Sequence, residues 1–157
     1  MSQLDSTAFN RKVDDALVPA IPALQPAYRM LAPLAETWLR VITGIALMMH
    51  GWPKIQNPMG AAGMVEGIGF HPGWLWSPLL AGTEFIGGLL LVLGLLTRVA
   101  AGAATVVLLV TVYFHWVLQS QGYSGAELSL IWSAATFYFV ARGGGRYSAD
   151  RLIGREI

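Results

Sequence analysis

From Val99 to Leu118 the chain is apolar, interrupted only by His115. About 20 such residues are what a helix needs to cross the hydrocarbon core of a bilayer. Three other stretches have the same character. One runs from about Thr37 to Gln56 through Val41-Ile42-Thr43-Gly44-Ile45-Ala46-Leu47-Met48-Met49, and another from Trp74 to Leu96, broken only by Glu84. The last runs from about Tyr123 to Arg142; Glu127 lies near its start and its uncharged part begins only at Leu128. Barrel strands would alternate, so these continuous runs are helices. A soluble bundle helix should show a polar face, and the third run shows none. The sequence therefore predicts an all-α integral membrane protein, a four-transmembrane-helix bundle over residues 37–142.

Composition agrees. Only 12% of the 157 residues are charged, 55% are hydrophobic and mean hydropathy is +0.54, whereas a soluble domain carries about 25% charge. The absence of Cys excludes disulfides, thiol redox chemistry and Cys-ligated zinc or iron–sulfur centres. A net charge of +1 gives no field to attract nucleic acid. Residues 1–36 contain no short apolar core beside a cleavage site, so no signal peptide is expected.

Lys and Arg set the direction of the spans. Arg11, Lys12, Arg29, Arg40, Arg98, Arg142, Arg146, Arg151 and Arg155 fall on one side and only Lys54 on the other, which puts nine of ten positive residues together. Both termini and the short loop between the second and third spans are therefore expected to face the cytoplasm. Trp38 then suits the inner interface, and Trp52, Trp74, Trp76, Trp116 and Tyr123 an outer aromatic belt. Arg40 and Arg98 are read as topology anchors whose side chains snorkel to lipid headgroups.

Outside the spans, Pro19, Pro22, Pro26 and Pro33 predict that residues 1–36 are irregular or made of short pieces. Tyr28, Met30, Leu31 and Leu34 could rest there on lipid or on a partner subunit. The Gly-rich stretch from Asn57 to Gly73 predicts a short interfacial helix, opened by Asn57-Pro58 and ended by His71-Pro72-Gly73. Glu66 is read as part of a solvated face and His71 as a solvated turn residue. Gly143-Gly144-Gly145 stops the last span before a basic tail over 143–157.

Followed along these directions, His50, Lys54, Glu84, His115 and Glu127 all fall in the outer half of the bilayer, on four helices. An ionisable group inside a span costs about 2.5–3.5 kcal/mol at the centre, so each needs a reason. His50 and Lys54 are four apart and share a face. Pro53 cannot donate to the Met49 carbonyl. Gly87 and Gly88 after Glu84 admit a close neighbour, and Glu84 should pair with Lys54 or a protonated His50. A structural network needs only these groups. A quinone site would use His, Lys and Trp as donors to two carbonyls, with carboxylate and imidazole carrying protons. Ligation of haem b by His50 and His115 rests on two ligands at arbitrary spacing, a weak signal, and no metal site is read. A proton or solute pathway is the remaining reading.

Arg40 followed by His50-Gly51-Trp52-Pro53-Lys54 resembles the opening of DoxX-family membrane proteins. The similarity continues through Glu84-Phe85-Ile86-Gly87-Gly88, Gly94-Leu95-Leu96-Thr97-Arg98, His115, Glu127 and Gly143-Gly144-Gly145-Arg146-Tyr147-Ser148-Ala149-Asp150, over roughly residues 37–153. The family's final motif usually has Pro where this chain has Gly144, and residues 1–36 are longer than its pattern. The resemblance implies a four-helix bacterial inner-membrane protein. The family takes its name from a terminal quinol oxidase complex; a related branch belongs to thiosulfate:quinone oxidoreductase, and other members are tied to oxidative-stress membrane complexes. The expected function is a small accessory subunit of a quinone-linked redox complex, in contact with lipids and other membrane subunits through residues 1–36 and the helix faces. No cofactor motif supports a self-sufficient oxidoreductase. The alternative is a small-solute or proton transporter or channel, although no inverted repeat is evident.

Overall fold

A computed structural model describes residues 21–154. The chain divides into a unit ending at Leu34 and a unit beginning at Ala35. In the first, a 3-10 turn over Pro22–Leu24 leads into helix α1, Gln25–Gln56. The chain is thus helical from Gln25, where an irregular arm is expected. Pro26 lies in the first turn, where no backbone donor is required, and Pro33 removes one bond from a helix that continues on both sides. Tyr28, Met30, Leu31 and Leu34 are exposed. Residues 1–20, with the docking role expected of them, lie outside the described residues.

In the second unit the rest of α1 is followed by α2 (Ala62–Gly67), α3 (Gly73–Leu93), α4 (Thr97–Tyr113), α5 (Gly122–Arg142) and α6 (Ala149–Ile153). A π turn over Phe114–Leu118 continues α4. There is no strand among the described residues. The fold is all-α, and three of its helical stretches, Pro22–Gln56, Gly73–Leu93 and Thr97–Leu118, are long and apolar enough to cross a membrane. Helix α5 has 21 residues, about the length a crossing needs, but Ser124, Glu127, Ser129, Ser133 and Thr136 make it less apolar.

The long helices pack through small residues, as membrane helices do when van der Waals contact has to replace hydrophobic exclusion. Helices α1 and α3 run antiparallel and cross at Gly44 and Gly88. A Cβ on Gly44 would stand 2.6 Å from the Gly88 carbonyl oxygen, and one on Gly88 2.7 Å from that of Gly44. Ala100, Ala101 and Ala104 of α4 are buried with Leu47, Leu91 and Phe139 in one core. Helix α4 also has a small polar face that its hydropathy hides. The hydroxyls of Thr105 and Thr136 lie 2.8 Å apart, both buried, and join α4 to α5 by one hydrogen bond.

The short helix α2 begins four residues later than Asn57-Pro58 would open it. Residues 57–61 form turns instead, because Ser77 Oγ donates to the Pro58 carbonyl at 2.5 Å and accepts from Ala61 N–H at 3.2 Å. Glu66 is exposed at its surface, yet its Oε1 accepts the Gly73 amide at 2.6 Å and caps α3. It therefore does more than face solvent. Val65 is buried beneath this segment.

Candidate functional site

Around the Lys54 end of the bundle, helices α1 to α5 and the segment after α2 line a cavity of about 660 Å3. Its walls are mainly apolar, contributed by Leu47, Val65, Phe70, Leu80, Val107 and Trp132 among others. Into it face His50 and Lys54 from α1, Glu84 from α3 and His115 from the π turn. Lys54 Nζ bonds both carboxylate oxygens of Glu84. Of the two partners the sequence allows for Glu84, the structure has Lys54. The Glu84 side chain is 8% exposed and that of Lys54 32%, so the carboxylate is the enclosed member of the pair. Gly51 brings α1 against Glu84 and Phe85 closely enough for the pair to form: a Cβ there would lie 2.6 Å from the Phe85 nitrogen.

His115 is placed by local geometry. The π turn, closed by Gln119 N–H to the Phe114 carbonyl at 2.9 Å, adds a residue to the helical repeat, a device frequent at functional sites. Its Nδ1 lies 2.9 Å from Gln121 Oε1, and this contact fixes the ring's orientation. His50 is exposed at the cavity wall. Glu127 is not part of this group. It is exposed on α5 and does not line the cavity, because the residues of α5 that do, Gly125, Leu128, Ser129 and Trp132, occupy the other side of the helix. Among the described residues, no three His, Cys, Asp or Glu side chains are grouped to hold a metal. His71 is exposed, and its carbonyl accepts from Trp76 Nε1 at 3.3 Å.

The opposite end is built differently. Arg40 does not extend to headgroups; it is 1% exposed. Its Nη1 donates to the carbonyls of Leu91 at 2.6 Å and Val92 at 3.1 Å, and its Nη2 to that of Tyr147 at 2.6 Å. Helix ends leave carbonyls without partners and carry partial negative charge, so a guanidinium is a suitable cap. Gly94 makes room for it at φ +68°, where a Cβ would run into the Arg40 guanidinium. The carboxylate of Asp150 serves the other side of the turn, accepting Leu96 N–H at 2.7 Å and Thr97 N–H at 2.9 Å. Arg98 caps α5 through the carbonyls of Val140 and Ala141, both at 2.7 Å. The two arginines expected to anchor lipid are thus bonded to helix C-termini. Glu36 Oε1 accepts from Tyr138 Oη at 2.5 Å and from Arg142 Nη2 at 3.1 Å.

Sequence comparison draws on the same residues. The DoxX family's sequence model matches residues 35–116, more than half of the chain. The chain belongs to the DoxX family. An uncharacterised protein of Haemophilus influenzae is 30% identical over 127 residues, covering 75% of this chain and 90% of that protein. The inner membrane protein YqjF of Escherichia coli is 29% identical over 119 residues, covering 74% and 90%. No solved structure matches. The DoxX match takes in Arg40, the His50–Lys54 stretch, Glu84 and His115, and so most of the cavity's polar groups. Glu36, Asp150 and Tyr138 escape a reading by sequence alone. Their partners are 102 or more residues away for Glu36 and 53 or 54 for Asp150. The one available signal is the Ser148-Ala149-Asp150-Arg151 pattern of a helix start.

Proposed function

We propose that this DoxX-family membrane protein is a small subunit of a quinone-linked redox assembly in a bacterial inner membrane, crossing it four times with both termini in the cytoplasm, and that its cavity receives a quinone headgroup. The observation that carries this reading is the Lys54–Glu84 pair, its carboxylate enclosed, in a mainly apolar cavity beside two imidazoles. Burying such a pair is costly unless its charges are used or fully compensated. The donor set fits the ligand. The Lys54 ammonium and the imidazoles of His50 and His115 can donate to carbonyl oxygens, and the Glu84 carboxylate and the imidazoles can accept from hydroxyls. A bound quinone would supply two-electron, two-proton redox chemistry. The chain's own residues would orient the headgroup, exclude water and exchange the protons. Ala103, Val106 and Leu128 line the cavity and are also exposed on the helix surfaces, which gives an apolar tail a side exit toward lipid.

A through-pathway for a solute has less support, since Leu47, Leu91, Ala101, Ala104 and Phe139 fill the bundle below the cavity. Support for the inner-membrane location comes from the name of the Escherichia coli relative and from the side on which Lys and Arg collect.

The test is quinone retention by the protein purified in lipid nanodiscs. Organic extraction should recover isoprenoid quinone near one per chain, and added short-chain quinone should quench tryptophan fluorescence through Trp76 and Trp132. Glu84→Gln and His115→Ala should each weaken the quenching. Wild-type protein that retains no quinone and shows no saturable quenching would sink the proposal.

A further inference from the structure

A second cleft, of about 510 Å3, lies at the Arg40 end. It is lined by Glu36, Arg142, Gly145, Arg146, Asp150 and Arg151 among others. Most of its charges are already used. Glu36 and Arg142 form an ion pair at 3.1 Å. Both oxygens of Asp150 are committed to the Leu96 and Thr97 amides, and the buried Arg40 offsets its charge. That leaves Arg146 and Arg151. Neither guanidinium has an ion-pair or hydrogen-bond partner among the described residues; Arg146 only stands over the Tyr147 ring, 5.8 Å from its centre. The cleft thus holds two surplus positive charges. Glu36 Oε2, which accepts no hydrogen bond among the described residues, lies beside Gly145.

We infer that this cleft binds the headgroup of an anionic phospholipid from the cytoplasmic leaflet, with the phosphodiester held by Arg146 and Arg151. Guanidinium forks match phosphate oxygens bidentately. A headgroup hydroxyl, as in a glycerol headgroup, can donate to Glu36 Oε2. The position is right for a lipid. The cleft sits where α5 ends at Arg142, on the side where the positive residues collect, and that leaflet carries anionic lipid. The inference uses the membrane orientation given above and is independent of what the outer cavity binds. It also separates two kinds of arginine in this chain. Arg40 and Arg98 hold helix ends, whereas Arg146 and Arg151 are left to face lipid.

The experiment is native mass spectrometry of the detergent-purified full chain with defined mixtures of phosphatidylglycerol and phosphatidylcholine. One phosphatidylglycerol should stay bound under conditions that strip phosphatidylcholine. The double variant Arg146→Gln/Arg151→Gln should weaken that retention roughly tenfold to thirtyfold, at about a factor of five per surface charge, while thermal stability in detergent stays unchanged because neither side chain supports a helix end. Equal retention of both lipids, or wild-type retention by the double variant, would overturn the inference. Inorganic phosphate at millimolar concentration serves as the control. If it binds with the same arginine dependence and displaces the lipid, the ligand is free phosphate and the lipid assignment fails.

Discussion

Arg40 and Asp150 serve the two ends of a single turn. Arg40 binds the carbonyls of Leu91 and Val92 as α3 finishes, and Asp150 binds the amides of Leu96 and Thr97 as α4 begins. Between them Leu96 is held at φ +48°, a conformation that costs a non-glycine residue about 1–2 kcal/mol. The turn reverses the chain in three residues: the Gly94 and Leu95 amides bond back to the Leu91 and Leu90 carbonyls, and Arg40 and Asp150 supply further partners from outside it. One supplier is a residue more than fifty positions earlier and the other a residue more than fifty later.

This makes the pair a determinant of stability. Arg40→Met should destabilise the protein by about 3 kcal/mol, since three carbonyls lose a charged donor in a buried site. Asp150→Ala should cost about 2 kcal/mol through two lost amide bonds. The double variant should cost less than the sum, because both act on one turn. Thermal unfolding in detergent measures all three, and full additivity would count against a shared turn.

At the helix crossing, Gly44→Ala and Gly88→Ala should each destabilise by about 1–3 kcal/mol, because each Cβ meets the facing backbone and forces the helices apart. Gly102 on α4 has open space around its Cβ position, so Gly102→Ala should be neutral or mildly stabilising. The three melting temperatures, compared side by side, check this directly.

Lys54→Met leaves the Glu84 carboxylate enclosed without its cation. A loss of about 2 kcal/mol is expected, lower than for a fully buried pair because Lys54 is partly exposed. Glu84→Gln should cost less, and adding Glu84→Leu to Lys54→Met should recover much of the loss by making the cavity wall apolar. Chemical unfolding curves that show no recovery would mean that Lys54 acts elsewhere.

The Thr105–Thr136 hydrogen bond is a buried link between the side chains of α4 and α5. Thr105→Val keeps the shape and removes one hydroxyl, and should cost about 1 kcal/mol. A neutral result would assign the contact to packing alone.

Several of these features are legible in the chain itself. The apolar runs predict helices close to where they occur, and Glu84 with Lys54 is readable because two opposite charges in apolar runs have few other partners. Glu127 illustrates the limit of that reading. Its depth is readable from its position along a span, but rotation about the helix axis is not, and that rotation turns it out of the cavity. Arg40 shows the converse. Its place near a span end suits a lipid anchor equally well, and only the position of the turn at Gly94 shows that its guanidinium has protein carbonyls within reach.

The sequence by itself determined an all-α membrane protein of the DoxX family, its long helices, and the ionisable residues inside them, because hydropathy and helix length are local quantities set by consecutive residues. The tertiary structure decided which of those residues meet. Lys54 and Glu84, 30 positions apart, share a cavity, and Arg40 and Asp150 share a turn. Such pairings depend on helix rotation and on crossings such as that of Gly44 with Gly88, and both are fixed only when the helices pack.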